Sequence, residues 1–291
     1  MSPHSLLFVP GDSERKLAKC AHVGADALIL DLEDAVAPER KPAARELVRA
    51  FLNSARTGAG AQVWVRINAL NTPDSRLDLA AVMAARPYAI MVPKVDHPSE
   101  LVGLSNDLSA LEAQTGIAVG TTRLVPMLES PRAVLTAADY LQTPLQRLSG
   151  ITWGAEDLGA ALGVRSSHDA NGDWNFALRS ARVQCLLVAR ALQVGAIDTV
   201  TTDFKNLDAL RAECTSSYAN GFSGKLAIHP DQVSVINSIF LPSPAELDHA
   251  RQVIAAFEAA SGSGAVSLNG TMVDIVHLHA ARRLLAGRES C

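Results

Sequence analysis

Carboxylates are the side chains of this sequence whose positions suggest chemistry. The segment "LILDLEDAVAPERK", residues 28 to 41, runs four apolar residues among Asp31, Glu33 and Asp34. Carboxylates this close repel one another, so a cation, a mobile proton or a set of donors is expected beside them. Two further acids follow short apolar runs: Glu129 after "RLVPML" and Asp157 in "ITWGAED". At the ends of neighbouring strands these two could face one ion. A pair of carboxylates completed by waters and substrate oxygens suits Mg2+, which gives up its hydration reluctantly. Asp157 could equally cap the helix that "LGAALG" begins. Arg66 closes "QVWVR" and carries a charge that cannot be neutralised, so after a buried strand it needs a partner. It can clamp a substrate carboxylate or a developing enolate oxygen, bridge to "DLED", or do both.

Lys94, in "MVPKV", raises the Schiff-base alternative. A lysine of that kind needs a depressed pKa in a dry pocket, whereas neighbouring carboxylates raise it, so an ion pair is expected here. His229, in "IHPDQ", follows a strand, and the proline after it points to a rigid turn. The sequence contains no G-x-G-x-x-G after a strand, no Walker loop, no H-E-x-x-H and no G-x-S-x-G, which removes the commonest nucleotide, zinc-protease and serine-hydrolase signatures. Cys20, Cys185, Cys214 and Cys291 are scattered without a C-x-x-C pair, so neither a disulfide framework nor a zinc knuckle is indicated.

The elements that must carry these residues alternate regularly. Short apolar runs ("SLLFVPG", "ADALILDLED", "AQVWVRINA", "YAIMVPKV", "TRLVPMLES", "LSGITWGAEDL", "AIDTVTTDF", "GKLAIHP") each precede a longer run with three- and four-residue apolar spacing. The first kind reads as strands buried on both faces, the second as amphipathic helices. Eight such units match the (β/α)8 TIM barrel of about 250 residues. The expected organisation is an α/β barrel over residues 1–258, then a Gly/Ser hinge and a helical tail over 259–291. In a barrel of this kind sites form where strands end, and "VPG", "DLED", "RIN", "PK", "LES", "GAED" and "IHP" all fall there. Convergence on one mouth explains the acidic strand end at residues 31 to 34.

Composition sets the outer limits. The chain has 291 residues, 48% of them hydrophobic, enough for a large core. A formal net charge of −4 and 4% aromatic residues offer neither a basic field nor a stacking surface for nucleic acid, and nothing that draws the chain to an anionic membrane. The amino terminus has no basic lead-in or long apolar run, and no stretch approaches the ~20 apolar residues of a membrane span. A cytoplasmic protein is expected.

Taken in order, "LLFVPGDSERKLAKC", "DALILDLEDAVAPERK", "VRIN", "VPK", "LES", "GAEDLGAALG", "AIDTV", "GKLAIHP" and "SLNGTMVD" resemble the HpcH/HpaI aldolase and citrate lyase beta-subunit family, in its CitE-like branch. The resemblance implies a TIM barrel that binds Mg2+ through Glu129 and Asp157, with Arg66 on the keto-acid or carboxylate end of the substrate. It implies that Arg15 and Lys19 hold coenzyme A phosphates, and that Asp274 reaches the active site of a neighbouring subunit in a homotrimer or hexamer. Asp31, Glu33 and Asp34 would then support Arg66 and metal-bound water. The implied activity is carbon–carbon cleavage of a hydroxyacyl-CoA such as citryl-CoA or malyl-CoA. Thioester hydrolysis, CoA-independent aldol cleavage and a non-catalytic subunit are the alternatives. The chain departs from the family's tail pattern at Asn269, Thr271 and Val276, where Asp, Lys and Pro are common, and keeps Asp274.

Overall fold

Runs such as "LILD" and "AIMV" are apolar on both sides, and a strand of that kind is stable only with both faces covered. In the computed structural model, which describes residues 3–55, 60–170, 172–260 and 262–286, eight such runs pair in parallel and close into a barrel in chain order. The strands are β1 (Ser5–Pro10), β2 (Ala27–Asp31), β3 (Gln62–Arg66), β4 (Ala89–Val92), β5 (Arg123–Leu128), β6 (Gly150–Trp153), β7 (Gly195–Asp198) and β8 (Gly224–Ala227). The α-helices around them are α1 (Glu14–Cys20), α2 (Lys41–Ala55), α3 (Pro73–Val82), α4 (Ser99–Gln114), α5 (Pro131–Leu135), α6 (Ala155–Leu162), α7 (Phe176–Ala191), α8 (Leu207–Asn220) and α9 (Pro230–Phe240). Closure sets β1 beside β8, with Leu6 opposite Leu226.

Side chains alternate along each strand and so build two apolar layers. Leu6, Ile29, Trp64, Met91, Met127 and Leu226 fill one cluster inside the strands. Leu7, Leu28, Val65, Ile90 and Leu128 belong to the larger cluster shared with the helices. Each fully buried aliphatic side chain contributes about 1.5–3 kcal/mol, so the strand ends are presented on a stiff frame.

The described residues from Pro3 to Phe240 form one compact unit and those from Leu241 to Ala286 another. The boundary lies upstream of 258 because α10 (Pro244–Ala259) belongs with the tail. A capping box between Ser243 and Glu246 starts this helix. Its Ala250, Val253 and Phe257 cluster with Val273, Leu278 and Ala281. The tail is also less purely helical than expected. Part of the Gly/Ser segment and the residues after it form an antiparallel hairpin, β9 (Ala265–Leu268) with β10 (Thr271–Asp274), and α11 (Ile275–Ala286) begins only afterwards. Asn269 and Gly270 both have left-handed φ, 51° and 78°, as a two-residue hairpin loop of the mirror-image type requires. Ser261, residues 287–291 (with Cys291) and residues 1–2 lie outside the described residues. Among the described residues no helix is long and apolar enough to cross a membrane.

Candidate active site

The parallel register sets Asp31, the last residue of β2, directly beside Arg66, the last of β3. Arg66 Nε donates to Asp31 Oδ1 at 2.8 Å and Nη2 to Oδ2 at 2.7 Å, a bidentate fork that fixes the plane of the guanidinium. Its Nη1 lies 3.0 Å from Glu33 Oε2, and its Cζ sits 4.8 Å from the centre of the Phe8 ring. Burial works against this charge, but Asp31, then Glu33 and Glu129, raise the pKa, so Arg66 stays cationic. Asp31 also accepts the backbone N–H groups of Glu33 and Ala35 at 3.0 and 3.2 Å, which folds "DLED" into a tight turn.

Lys94 adds a second cation. Its Nζ donates to Glu33 Oε1 at 2.5 Å and lies 3.2 Å from Asp34 Oδ1. Burial opposes the ammonium, yet the bond to Glu33 and the field of Asp34 raise its pKa. The ion pair expected from the sequence is therefore observed, and a Schiff-base lysine is not what this environment makes. Arg66 and Lys94 set two positive charges against the three "DLED" acids, which offsets most of their mutual repulsion.

Glu129 directly follows β5 and is only 3% exposed. Its Oε1 accepts the backbone N–H of Lys94 at 2.6 Å. Burial pushes its pKa up to about 8; the Lys94 N–H opposes that rise, while Asp157 and Glu33 add to it. A Cβ placed on Gly154 would lie 2.6 Å from Glu129 Oε2, so the carboxyl rests in a cradle only glycine leaves open. Asp157 is not a strand-end residue. It occupies the first turn of α6, where Gly154 is the N-cap and no side chain caps the helix; the capping role open to Asp157 in the sequence is not the one it has. The start of α6 is tied down by Ala155 N donating to Thr199 Oγ1 at 3.3 Å. Lys225, buried and paired with Glu213 at 3.0 Å, donates to the Thr199 carbonyl at 2.7 Å.

Glu129, Asp157, Asp31, Asp34 and Arg66 line one cavity of about 500 Å3. Phe8, Met127, Val200, Leu226 and Ile228 give it an apolar wall. Lys16 and Lys19, exposed on α1, line it too, whereas Arg15 is exposed on the same helix and does not. Lys16 was not singled out by sequence reasoning: its neighbours 15 and 19 were, and only helix geometry decides which basic residue turns inward. His229 also lines the cavity, stacked on Phe204 at 4.7 Å, in a turn where its N–H donates to Gln232 Oε1 at 3.2 Å.

The donor set suits a hard divalent cation. Glu129 and Asp157 bring carboxylate oxygens to one cavity, and burial disfavours the charged form of Glu129, which a bound cation would favour. Among the described residues no three His, Cys, Asp or Glu side chains make a ready cage. Two carboxylates completed by water or substrate are the Mg2+ pattern. Asp274 lies in the second unit. Its Oδ1 accepts the N–H of Val276 at 3.0 Å and sits 2.6 Å from His277 Nδ1, which lowers its pKa.

A closed parallel barrel with acids and an arginine gathered at the carboxy ends of its strands defines a barrel enzyme for oxygen-rich substrates. The chain belongs to the HpcH/HpaI aldolase/citrate lyase family, whose model matches residues 4–230. It is 38% identical to a (3S)-malyl-CoA thioesterase of Cereibacter sphaeroides over 288 residues, 98% of this chain and 94% of that protein. It is 34% identical to the citrate lyase subunit beta of Escherichia coli K12 over 287 residues, 98% and 93% of the two chains. The crystal structure of CitE from Mycobacterium tuberculosis in complex with magnesium, acetoacetate and coenzyme A superposes with a TM-score of 0.79 at 33% identity, covering 97% of each chain.

Proposed function

We propose that the protein is a Mg2+-dependent carbon–carbon lyase acting on a hydroxyacyl-CoA of the malyl-CoA or citryl-CoA kind. The observation that carries this reading is one cavity bearing Glu129, Asp157 and Arg66 together with two lysines and an apolar wall. Glu129 and Asp157 would hold Mg2+, which when bound supplies Lewis acidity toward the hydroxyl and carboxylate oxygens of a substrate. Arg66, held by Asp31 through Nε and Nη2 and with Nη1 3.0 Å from Glu33 Oε2, lines the cavity and would offer its remaining N–H groups to the carboxylate of the keto-acid fragment. Lys16 and Lys19 offer charge to phosphates, and the apolar wall excludes water from the acyl carbon. In the cleavage the substrate hydroxyl loses its proton to solvent water and becomes a carbonyl. The bond from its carbon to the thioester α-carbon breaks, and the electron pair stays on the thioester fragment as an enolate. A proton delivered to that carbon yields the acyl-CoA. Asp274 of a neighbouring copy is our candidate to carry it; in support, it ends a hairpin whose Met272, Ile275 and Val276 are exposed apolar neighbours. A homotrimer or hexamer in the cytoplasm is the corresponding setting.

Thioester hydrolysis at the same site is the second reading, favoured by the 38% identity to a protein named for that activity. Incubation with malyl-CoA or citryl-CoA and Mg2+, followed by chromatography of the CoA species, separates the two. Acetyl-CoA with glyoxylate or oxaloacetate supports the lyase. Free CoA with malate or citrate supports the hydrolase and removes the first reading.

A further inference from the structure

Lys94 has a backbone conformation that its residue type does not favour. It follows β4 by two positions, with φ at 53°, a left-handed value that costs a side-chain-bearing residue free energy and that glycine adopts freely. That conformation turns its N–H toward Glu129 Oε1 at 2.6 Å. The far end of the same residue is anchored, its Nζ 2.5 Å from Glu33 Oε1 and 3.2 Å from Asp34 Oδ1. On the other side of the Glu129 carboxyl, a Cβ on Gly154 would stand 2.6 Å from Oε2. One oxygen is thus held by a donor and the other fits against a residue without a side chain.

We propose that Lys94 is a positioning residue: "DLED" anchors its ammonium, the anchor holds the left-handed turn, and the turn aims the backbone N–H that orients Glu129 toward the cation. The inference rests on the reading of Glu129 and Asp157 as the Mg2+ ligands, and it assigns the second and third acids of "DLED" a task two residues removed from the metal.

The sign of a binding change separates this role from simple electrostatics. Removing a nearby positive charge, with geometry unchanged, strengthens cation binding. Loss of orientation weakens it. Mn2+ is the probe, followed by electron paramagnetic resonance on the full-length protein, with circular dichroism and thermal melting to confirm folding. Lys94→Ala should bind Mn2+ about tenfold more weakly, because an unanchored alanine does not hold the left-handed turn. Lys94→Gly, which also lacks the charge but adopts the turn freely, should bind Mn2+ at least as tightly as the parent. Tighter binding by Lys94→Ala, or equal weakening in Lys94→Ala and Lys94→Gly, overturns the proposal. Glu129→Gln and Asp157→Asn serve as reference variants. If they abolish Mn2+ binding while the Lys94 variants match the parent, the positioning role alone fails. If they leave Mn2+ binding intact, the metal reading fails and the positioning role falls with it.

Discussion

Replacing Gly154 with alanine tests whether the Glu129 carboxyl must occupy its observed position. The added Cβ would lie 2.6 Å from Glu129 Oε2 and 2.8 Å from its Cβ. Carbon and oxygen settle at about 3.3–3.6 Å even in their closest favourable contacts, so one partner must move by roughly 0.7–1 Å. Gly154 has φ −113° and ψ 105°, a conformation alanine accepts, so the clash rather than backbone strain is the whole perturbation. Rotating the Glu129 side chain relieves the Oε2 contact and breaks the 2.6 Å bond from Lys94 N, while the 2.8 Å contact with its Cβ is relieved only by a shift of backbone. Overpacking of this size costs about 1–3 kcal/mol of stability, and a misplacement of about 1 Å in a catalytic constellation costs about 100-fold in rate. Gly154→Ala should therefore melt a few degrees lower, bind Mn2+ more weakly, and turn over a hydroxyacyl-CoA about 100-fold more slowly at saturating Mg2+. A folded variant with parental Mn2+ affinity and rate would refute the reasoning, because Glu129 would then function from a different position.

Other expectations follow from the same geometry. Asp31→Asn leaves the buried Arg66 without its bidentate partner and should cost about 3–5 kcal/mol in chemical denaturation. Asp34→Asn, at a carboxyl whose side chain is 52% exposed, should shift the same curve by less than about 1 kcal/mol; equal losses would contradict the assigned arrangement. Glu129 is raised from 4.5 to about 8, so the metal-free fold keeps a proton that the unfolded chain releases in that interval. Stability of the metal-free protein should fall as pH rises across that window, and Glu129→Gln should abolish this part of the slope in melts recorded from pH 5 to 9, an interval set about the printed value. Because a cation must displace the same proton, Mg2+ affinity by calorimetry should climb with pH and level off above about 8. A flat profile would place the proton elsewhere.

The barrel was legible because buried parallel strands are apolar on both faces and must alternate with amphipathic helices, a pattern that recurs eight times between residues 5 and 240. Convergence of "DLED", "RIN", "PK" and "LES" on one mouth followed from the architecture. What pairing produces was less readable. That Arg66 meets Asp31 follows from strand register, which a single sequence only hints at. That Lys94 supplies a backbone N–H depends on a left-handed turn with no glycine to mark it. Asp157 reads as a strand end because β6 stops at Trp153 and α6 starts at Ala155 with one residue between them. The hairpin at 265–274 did have a signal, alternating residues around Asn269-Gly270, which the preceding Gly/Ser run obscures.

The central claim is that Glu129 and Asp157 grip one divalent ion. Its most direct test is a crystal soaked in Mn2+ with a small keto acid, with data collected at the manganese absorption edge. A single anomalous peak bonded to one oxygen of each carboxylate, at about 2.0–2.3 Å, with the keto acid completing the shell beside Arg66, is the predicted result. No peak between the two carboxylates, or a peak held by other residues, would contradict it.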